Sequence, residues 1–158
     1  MLKILFVCAG NICRSPAATA IFQNLLKENK LDDQVEVDSA GTLNNPYPSP
    51  PSEPMVLIAW QKGIKLEGKS RQIKEEDLEK FDLIVAMDRY NQEYVFKLDE
   101  EKKFYDKIVL MRNFDPKMNS LDVPDPYGLS QKDYDEVFGI LERSSEILMK
   151  YFRQKFRI

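Results

Sequence analysis

The chain contains no histidine, and only two cysteines are found among its 158 residues. Without histidine, His-containing zinc sites and His-based catalytic triads are excluded. Two cysteines close together in one loop form no disulfide framework and are too few for an all-cysteine zinc site, so we expect a reducing compartment. Acid–base chemistry must therefore come from carboxylates, thiols, lysines or tyrosines.

Long apolar runs are also absent, because no stretch approaches the roughly 20 residues that span a bilayer. The N-terminus leads directly into a strand pattern without a signal-peptide arrangement, so a cytoplasmic protein is expected. The net charge of −3 argues against general binding of nucleic acid or anionic membranes. No repeat or long linker divides the chain, which predicts one domain over residues 1–158.

A short loop near the N-terminus has the arrangement of an anion-binding site. The apolar run of residues 4–7 predicts a buried parallel strand, and Ser15 with Pro16 predicts the N-cap and first residue of a helix. A loop closed onto a helix N-terminus gathers backbone N–H groups, and Arg14 adds a planar fork suited to phosphate oxygens. Cys8 would lie at the floor of this bowl as a stabilised thiolate that faces a bound phosphate. The predicted phosphate-binding loop comprises Ala9, Gly10, Asn11, Ile12, Cys13 and Ser15.

Two other interpretations of this loop are weaker. Cys8 could pack as a small hydrophobic residue with Arg14 on the surface. A nucleotide site is disfavoured, because the G-x-G-x-x-G and G-x-x-x-x-G-K patterns are both missing.

Strand and helix patterns alternate along the rest of the chain. Strands are predicted at residues 2–8, 35–37, 81–87 and 107–111, with a turn at residues 38–42. Helices are predicted from residue 15, at 53–62, 75–80 and 89–98, and after Ser130. In the last helix the residues at helical spacing are Tyr134, Val137, Phe138, Leu141, Ile147, Leu148 and Tyr151. The pattern predicts an α/β three-layer sandwich of the flavodoxin-like or Rossmann-like type, in which a four-stranded parallel sheet has helices on both faces.

Ligands bind beyond the carboxyl ends of the strands in such sheets. The thiol loop, Ser39, Asp88 and Asp125 all fall at such ends or in loops that can reach them. Asp88 is also predicted to cap the helix that follows it. The proline-rich residues 44–54 predict a stiff surface loop at the rim of the site, although they also contain the P-x-x-P spacing of SH3 ligands.

Five segments, taken in order, resemble the low molecular weight protein tyrosine phosphatase family. They are residues 8–16, 38–42, 70–72, 87–88 and 125–128. The resemblance implies a four-stranded parallel sheet, no metal, no cofactor, and hydrolysis in two steps through a cysteinyl-phosphate. It implies that Cys8 is the nucleophile, that Arg14 clamps the phosphate, and that Asp125 is the general acid and base. Spacing alone would leave Asp125 as a turn residue before a proline.

The resemblance also implies substrates and supporting roles. Phosphotyrosine-containing proteins or peptides and small aryl phosphates would be substrates, and inorganic phosphate would be the product. Ser15 would also donate a hydrogen bond to the sulfur of Cys8, and Asn11 would be a strained loop residue held by Ser39 and other polar groups. Cys13 would be a redox partner that traps Cys8 as a disulfide, unless it only packs behind the loop.

The chain departs from the family pattern at three positions. Gly68 stands where many members carry a histidine that pairs with the residue matching Asp88, so Asp88 must find another partner or act only as a helix cap. Gly128 follows Tyr127 where one branch has a second tyrosine. Asn45 aligns with an aromatic residue of the rim, which Tyr47 could replace unless it only covers the proline-rich loop.

Four alternatives to a tyrosine phosphatase remain. An arginine phosphatase usually has threonine where Ile12 stands, and Ile12 favours phosphotyrosine. A thioredoxin-coupled arsenate reductase would need cysteines beyond Cys13. A non-enzymatic phosphate-binding module would be expected to have lost Cys8, Arg14 or Asp125. A regulatory partner role could also accompany catalysis.

Overall fold

A four-stranded parallel sheet lies at the centre of the computed structural model, which describes residues 1–158. Its strands are β1 (Leu2–Cys8), β2 (Val35–Gly41), β3 (Leu83–Ala86) and β4 (Ile108–Leu110), in the spatial order β2-β1-β3-β4. The helices are α1 (Arg14–Glu28), α2 (Glu53–Gln61), α3 (Glu75–Lys80), α4 (Arg89–Leu98) and α5 (Gln131–Phe156). Two short 3-10 turns, Tyr105–Lys107 and Met111–Phe114, flank β4. The predicted α/β class with a parallel four-stranded sheet is confirmed.

Alternate side chains of β1 enter two separate cores, one on each face of the sheet. Ile4, Phe6 and Cys8 belong to the larger core, which α1, α2 and α5 cover. Leu5 and Val7 belong to the smaller core, which α3 and α4 cover. A strand that is buried on both faces needs apolar residues throughout, and this explains the uninterrupted apolar run of β1.

The sheet places the carboxyl ends of β1, β2 and β3 side by side. Cys8 at the end of β1 pairs with Gly41 at the end of β2, and Val7 pairs with Ala86 at the end of β3. The loops that leave these three ends therefore share one edge of the sheet, where ligands bind in folds of this kind.

Several predicted boundaries are wrong. β2 continues through residues 38–41, where a turn was predicted, because β1 pairs with it along its whole length. β3 and β4 are shorter than predicted, and the ends of the predicted fourth strand lie in the two 3-10 turns. Within α5, Ile147 is 36% exposed rather than inward-facing, while Tyr134, Phe138 and Leu148 are buried. The bounds of α3 and α4 agree with the prediction, and the irregular proline-rich loop ends at residue 52, because α2 begins at Glu53.

No helix in the described chain is both long enough and apolar enough to cross a bilayer.

Candidate active site

The sulfur of Cys8 lies at the carboxyl end of β1, where two polar groups contact it. Cys8 is 2% exposed, and the backbone N–H of Asn11 donates a hydrogen bond to its Sγ at 3.2 Å. The Oγ of Ser15 lies 2.9 Å from the same sulfur. Because Ser15 Oγ already accepts a hydrogen bond from Asn11 Nδ2 at 2.8 Å, its own hydrogen is free to be donated to the sulfur. These donors stabilise negative charge on the sulfur.

Ser15 is not the N-cap of α1, which corrects the prediction. The helix begins at Arg14 with Cys13 in the cap position, and no side chain caps it. The Ser15 hydroxyl instead faces Cys8 and Asn11. The first N–H groups of the helix are thus left without a side-chain partner at the loop, which suits the binding of an anion.

Asn11 holds the loop in a strained conformation. Its φ angle is 56°, in the left-handed region that costs most residues energy, and it is 3% exposed. Its side-chain amide donates to Ser39 Oγ at 2.9 Å as well as to Ser15, and its carbonyl accepts the backbone N–H of Arg71 at 3.0 Å. Side-chain hydrogen bonds on both ends of the amide fix this geometry.

Arg71 braces the loop from outside, and reasoning from the residues did not assign it a role. Its guanidinium contacts Asp38 Oδ2 at 2.9 Å and Asp77 Oδ2 at 3.0 Å. Burial lowers the pKa of Arg71, but the hydrogen bonds and charges of the two carboxylates outweigh burial and raise it overall. In the sequence, the signal for this role was the Ser70–Arg71–Gln72 segment. Its importance depends on the hydrogen bond between Arg71 and Asn11, which lie 60 residues apart along the chain.

Gly41 allows β2 to approach the loop closely. A Cβ atom at this position would lie 2.5 Å from the carbonyl oxygen of Ala9 and 3.1 Å from the Cβ of Asn11. Any side chain here would therefore push the loop that follows Cys8 away from the sheet.

Arg14 is 2% exposed, and its guanidinium lies between two carboxylates. Its Nη1 donates to Asp88 Oδ2 at 2.7 Å and to the carbonyl of Val123 at 2.9 Å, and its Nη2 lies 3.7 Å from Asp125 Oδ2. Burial lowers the pKa of Arg14, but the negative charges of Cys8, Asp88 and Asp125 outweigh burial and raise it overall. Arg14 therefore remains a cation at the base of the site.

Asp88 has two partners in place of the absent histidine. Its Oδ2 accepts from Arg14, while its Oδ1 accepts the backbone N–H of Asn91 at 2.7 Å and caps α4. The predicted helix cap is confirmed, and the second partner that the sequence left open is Arg14.

Asp125 reaches the site from the segment that precedes α5. Its side chain is 51% exposed, and its Oδ1 accepts the backbone N–H of Tyr127 at 3.1 Å. Its side-chain partner is the Arg14 guanidinium, 3.7 Å from Oδ2, which is too distant for a hydrogen bond, so the backbone of its own segment largely sets the position of this carboxylate.

A cleft of about 340 Å³ joins these groups. Cys8, Arg14, Asp125, Asn45 and Tyr127 line it together with loop residues Ala9, Gly10, Ile12 and Cys13. Asn44 of the predicted rim loop also lines it, as does Leu43, which was not predicted. Tyr47 is 80% exposed and is not among the residues that line the cleft. The structure therefore brings the predicted rim residues Asn45 and Tyr127 to the cleft, and it does not bring Tyr47.

Cys13 is 3% exposed, and two hydroxyl groups lie close to its sulfur. Its thiol donates to Ser52 Oγ at 3.1 Å and lies 3.7 Å from the hydroxyl of Tyr134. Burial raises the pKa of Cys13, although these two hydrogen bonds oppose the effect. Both cysteines are free, and Cys13 is held in its protonated form.

Comparisons of the sequence and of the structure with known proteins both find phosphatases. A family model described as low molecular weight phosphotyrosine protein phosphatase matches residues 3–157. The low molecular weight protein-tyrosine-phosphatase YfkJ of Bacillus subtilis is 37% identical over 152 residues, which cover 94% of each chain. A crystal structure of a protein tyrosine phosphatase from Entamoeba histolytica superposes with a TM-score of 0.94 at 32% identity, covering 98% of this chain and 99% of that one. A structure of YwlE arginine phosphatase, a mutant with a phosphorylated active-site serine, superposes with a TM-score of 0.84 at 29% identity and covers 99% of each chain.

Proposed function

The chain belongs to the low molecular weight phosphotyrosine protein phosphatase family, and from this premise we propose that it hydrolyses phosphotyrosine through a cysteinyl-phosphate on Cys8. The observation that carries the proposal is that Cys8, Arg14 and Asp125 all line one cleft. These three supply a nucleophile, a phosphate clamp and an acid–base group, which are the parts that the reaction needs.

In the first step the Cys8 thiolate attacks phosphorus in line with the departing oxygen. A sulfur–phosphorus bond forms as the phosphorus–oxygen bond of the aryl ester breaks. The loop N–H groups and Arg14 hold the equatorial oxygens, where charge spreads in the transition state. Asp125 donates a proton to the leaving phenolate, which would otherwise depart slowly.

In the second step Asp125, now a carboxylate, takes a proton from water as the water oxygen attacks phosphorus. The sulfur–phosphorus bond breaks, Cys8 returns to its thiolate, and inorganic phosphate leaves. The phosphorylated serine in the YwlE mutant structure supports a covalent phosphoryl enzyme in a related fold. The reactive thiol needs a reducing compartment, for which we propose the cytoplasm.

The lining of the cleft favours an aryl phosphate over phosphoarginine. Ile12, Leu43 and Tyr127 give the mouth an apolar character that suits an aromatic ring. Arginine phosphatase is the second candidate, because YwlE superposes along nearly the whole chain. The positive guanidinium of phosphoarginine would have to pair with the Asp125 carboxylate. The nearby Arg14 already partly neutralises the negative charge of that carboxylate.

Hydrolysis of an aryl phosphate in the presence of a chelator tests the proposal. We expect wild-type activity, background activity for Cys8→Ser, and a kcat/KM for Asp125→Ala that is lower by about 10² to 10³. Full activity of Cys8→Ser would exclude the cysteinyl-phosphate. A parallel comparison of phosphotyrosine and phosphoarginine peptides decides the substrate class, and a preference for phosphoarginine would overturn our choice between the two.

A further inference from the structure

The segment that carries Asp125 is clamped to the body of the protein by two arginines through Asp122. Arg89 binds the carboxylate of Asp122 with both arms of its guanidinium, Nε to Oδ1 at 3.2 Å and Nη2 to Oδ2 at 3.0 Å. The backbone N–H of Arg89, at the start of α4, donates to Oδ1 at 2.9 Å. Arg112 donates from Nη1 to the backbone carbonyl of Asp122 at 3.0 Å. Both the side chain and the backbone of Asp122 are therefore fixed.

The next residue along the chain connects this clamp to the catalytic machinery. The N–H of Val123 donates to the carbonyl of Met87 at 2.8 Å, and its own carbonyl accepts from Arg14 Nη1 at 2.9 Å. Val123 is 1% exposed. These two hydrogen bonds fix the position of the backbone at Val123 relative to the end of β3 and to Arg14.

The backbone between Asp122 and Asp125 has little freedom to absorb a change at the clamp. Pro124 and Pro126 each fix their own φ angle. Val123 and Asp125 each precede a proline, which confines their backbone to extended conformations. A displacement of Asp122 is therefore transmitted along three restricted residues, Val123, Pro124 and Asp125, to the Asp125 carboxylate. That side chain is 51% exposed, and its partner Arg14, at 3.7 Å, is too distant to form a hydrogen bond that would correct the displacement.

We propose that Asp122 and Arg89 form a positioning pair that sets the Asp125 carboxylate at the leaving-group oxygen. This inference rests on the proposed function, because it gives the pair a purpose only if Asp125 protonates the leaving group. Neither residue lines the cleft, so the pair acts through the backbone rather than on the substrate. The hydrogen bond from Arg89 also lowers the pKa of Asp122, which keeps the carboxylate charged for its partner.

A positioning role predicts that the effect of breaking the pair depends on the leaving group. Dinitrophenolate is a good leaving group and departs without protonation. The phenolate of phenyl phosphate or of phosphotyrosine is a poor leaving group and needs a proton from Asp125. The ratio kcat/KM is the appropriate measure, because it includes phosphoryl transfer to Cys8 and excludes the later hydrolysis step. A structural defect would lower kcat/KM for both kinds of ester equally.

The test compares Arg89→Ala, Asp122→Ala and the double variant on phenyl phosphate and dinitrophenyl phosphate. We expect kcat/KM for phenyl phosphate to fall about tenfold in each single variant, with less than about a twofold change for dinitrophenyl phosphate. Asp122→Ala also removes the bond to the backbone N–H of Arg89, so the double variant is expected to lose no more than Asp122→Ala alone. Arg89→Lys should recover part of the loss, since it keeps one charged donor.

Lys103→Ala serves as the matched control, because it breaks an exposed ion pair with Glu101 of 2.8 Å on another part of the surface. It should leave both esters unaffected. Inhibition by inorganic phosphate reports on Arg14 and should change less than about twofold in all variants. Equal losses on both esters, no loss on either, multiplicative effects in the double variant, or a matching loss of phosphate affinity would each overturn the positioning role.

Failure of the proposed function has a different signature in the same experiment. It would appear as an inactive wild-type protein or as an active Cys8→Ser variant, before any comparison of leaving groups.

Discussion

The Nη1 atom of Arg14 lies 2.7 Å from Oδ2 of Asp88, whose other oxygen caps α4. One carboxylate thus joins Arg14 to the start of a helix on the opposite face of the sheet. We expect Asp88→Asn to keep the cap and lose the charge, whereas Asp88→Ala loses both. The unfolding free energy of Asp88→Ala should be lower than that of Asp88→Asn by about 1 kcal/mol, which is the usual contribution of an N-cap. Denaturant unfolding of both variants measures this difference, and equal stability would show that the cap contributes nothing.

Gly41 is expected not to tolerate an added methyl group, unlike a glycine that lies in open space. Gly41→Ala would place a Cβ 2.5 Å from the Ala9 carbonyl oxygen, so the loop that follows Cys8 must move. We expect a destabilisation of about 1–3 kcal/mol and a clear loss of kcat/KM. The control is Gly139→Ala within α5, where the nearest atom is 3.8 Å away and where alanine should stabilise the helix by roughly 0.5–1 kcal/mol. Wild-type activity in Gly41→Ala would contradict the close approach.

Asp115 links folding stability to pH, because its fully buried side chain lies between Arg112 and Arg143 at 3.3 Å and 3.1 Å. Burial raises the pKa of Asp115, but the hydrogen bonds from Arg143 and Lys117 and the two positive charges outweigh burial and lower it overall. A carboxyl group with a lowered pKa in the folded state stabilises the protein above its unfolded value of about 3.9, and this stabilisation is lost as the pH falls through the folded value.

We therefore expect Asp115→Asn to lose about 3 kcal/mol at neutral pH, because it leaves the buried Arg112 and the partly exposed Arg143 without their counter-ion. The stability difference from wild type should shrink as the pH is lowered from about 5 towards 3. Unfolding curves at several pH values measure it, with Glu93→Gln in an exposed pair as the control, which should change stability by less than about 0.5 kcal/mol. A difference that stays constant with pH would show that folding does not lower the pKa of Asp115.

Cys13 is expected to protect Cys8 from irreversible oxidation. Peroxide oxidises the Cys8 thiolate to a sulfenic acid, and attack by Cys13 sulfur then forms a disulfide and releases water. Activity of the wild-type protein should return after treatment with a thiol, whereas Cys13→Ser should recover less. The Cys13→Ser side chain can keep the hydrogen bond to Ser52, so its starting activity is a fair reference. Recovery as complete as that of wild type would rule out protection.

The clearest predictions from sequence concern segments whose pattern is local. The bounds of β1, α3 and α4 follow from a short apolar run and from capping residues, and the structure has them where they were predicted. The failures occur where a distant partner overrides the local pattern. Residues 38–41 look like a turn, yet they extend β2 because β1 offers hydrogen bonds along its full length.

The candidate site shows the same division. Cys8 and Arg14 flank a loop between a strand and a helix, so their proximity follows from their spacing. Ser15 was placed as a cap from its type and position, but the neighbouring sulfur and Asn11 use its hydroxyl instead. Tyr47 was a candidate for the rim because of its distance along the chain, and the direction of the proline-rich loop keeps it outside the cleft.

By itself, the sequence determined an α/β fold with a thiol, a guanidinium and no histidine, because composition and periodicity are properties of the chain alone. Only the tertiary structure decided that Arg14 rests between Asp88 and Asp125, that Asn11 is held by Arg71, and that Asp122 anchors the acid-bearing segment. Those contacts join residues far apart along the chain, and a short-range pattern carries no record of which distant side chains meet once the sheet is assembled.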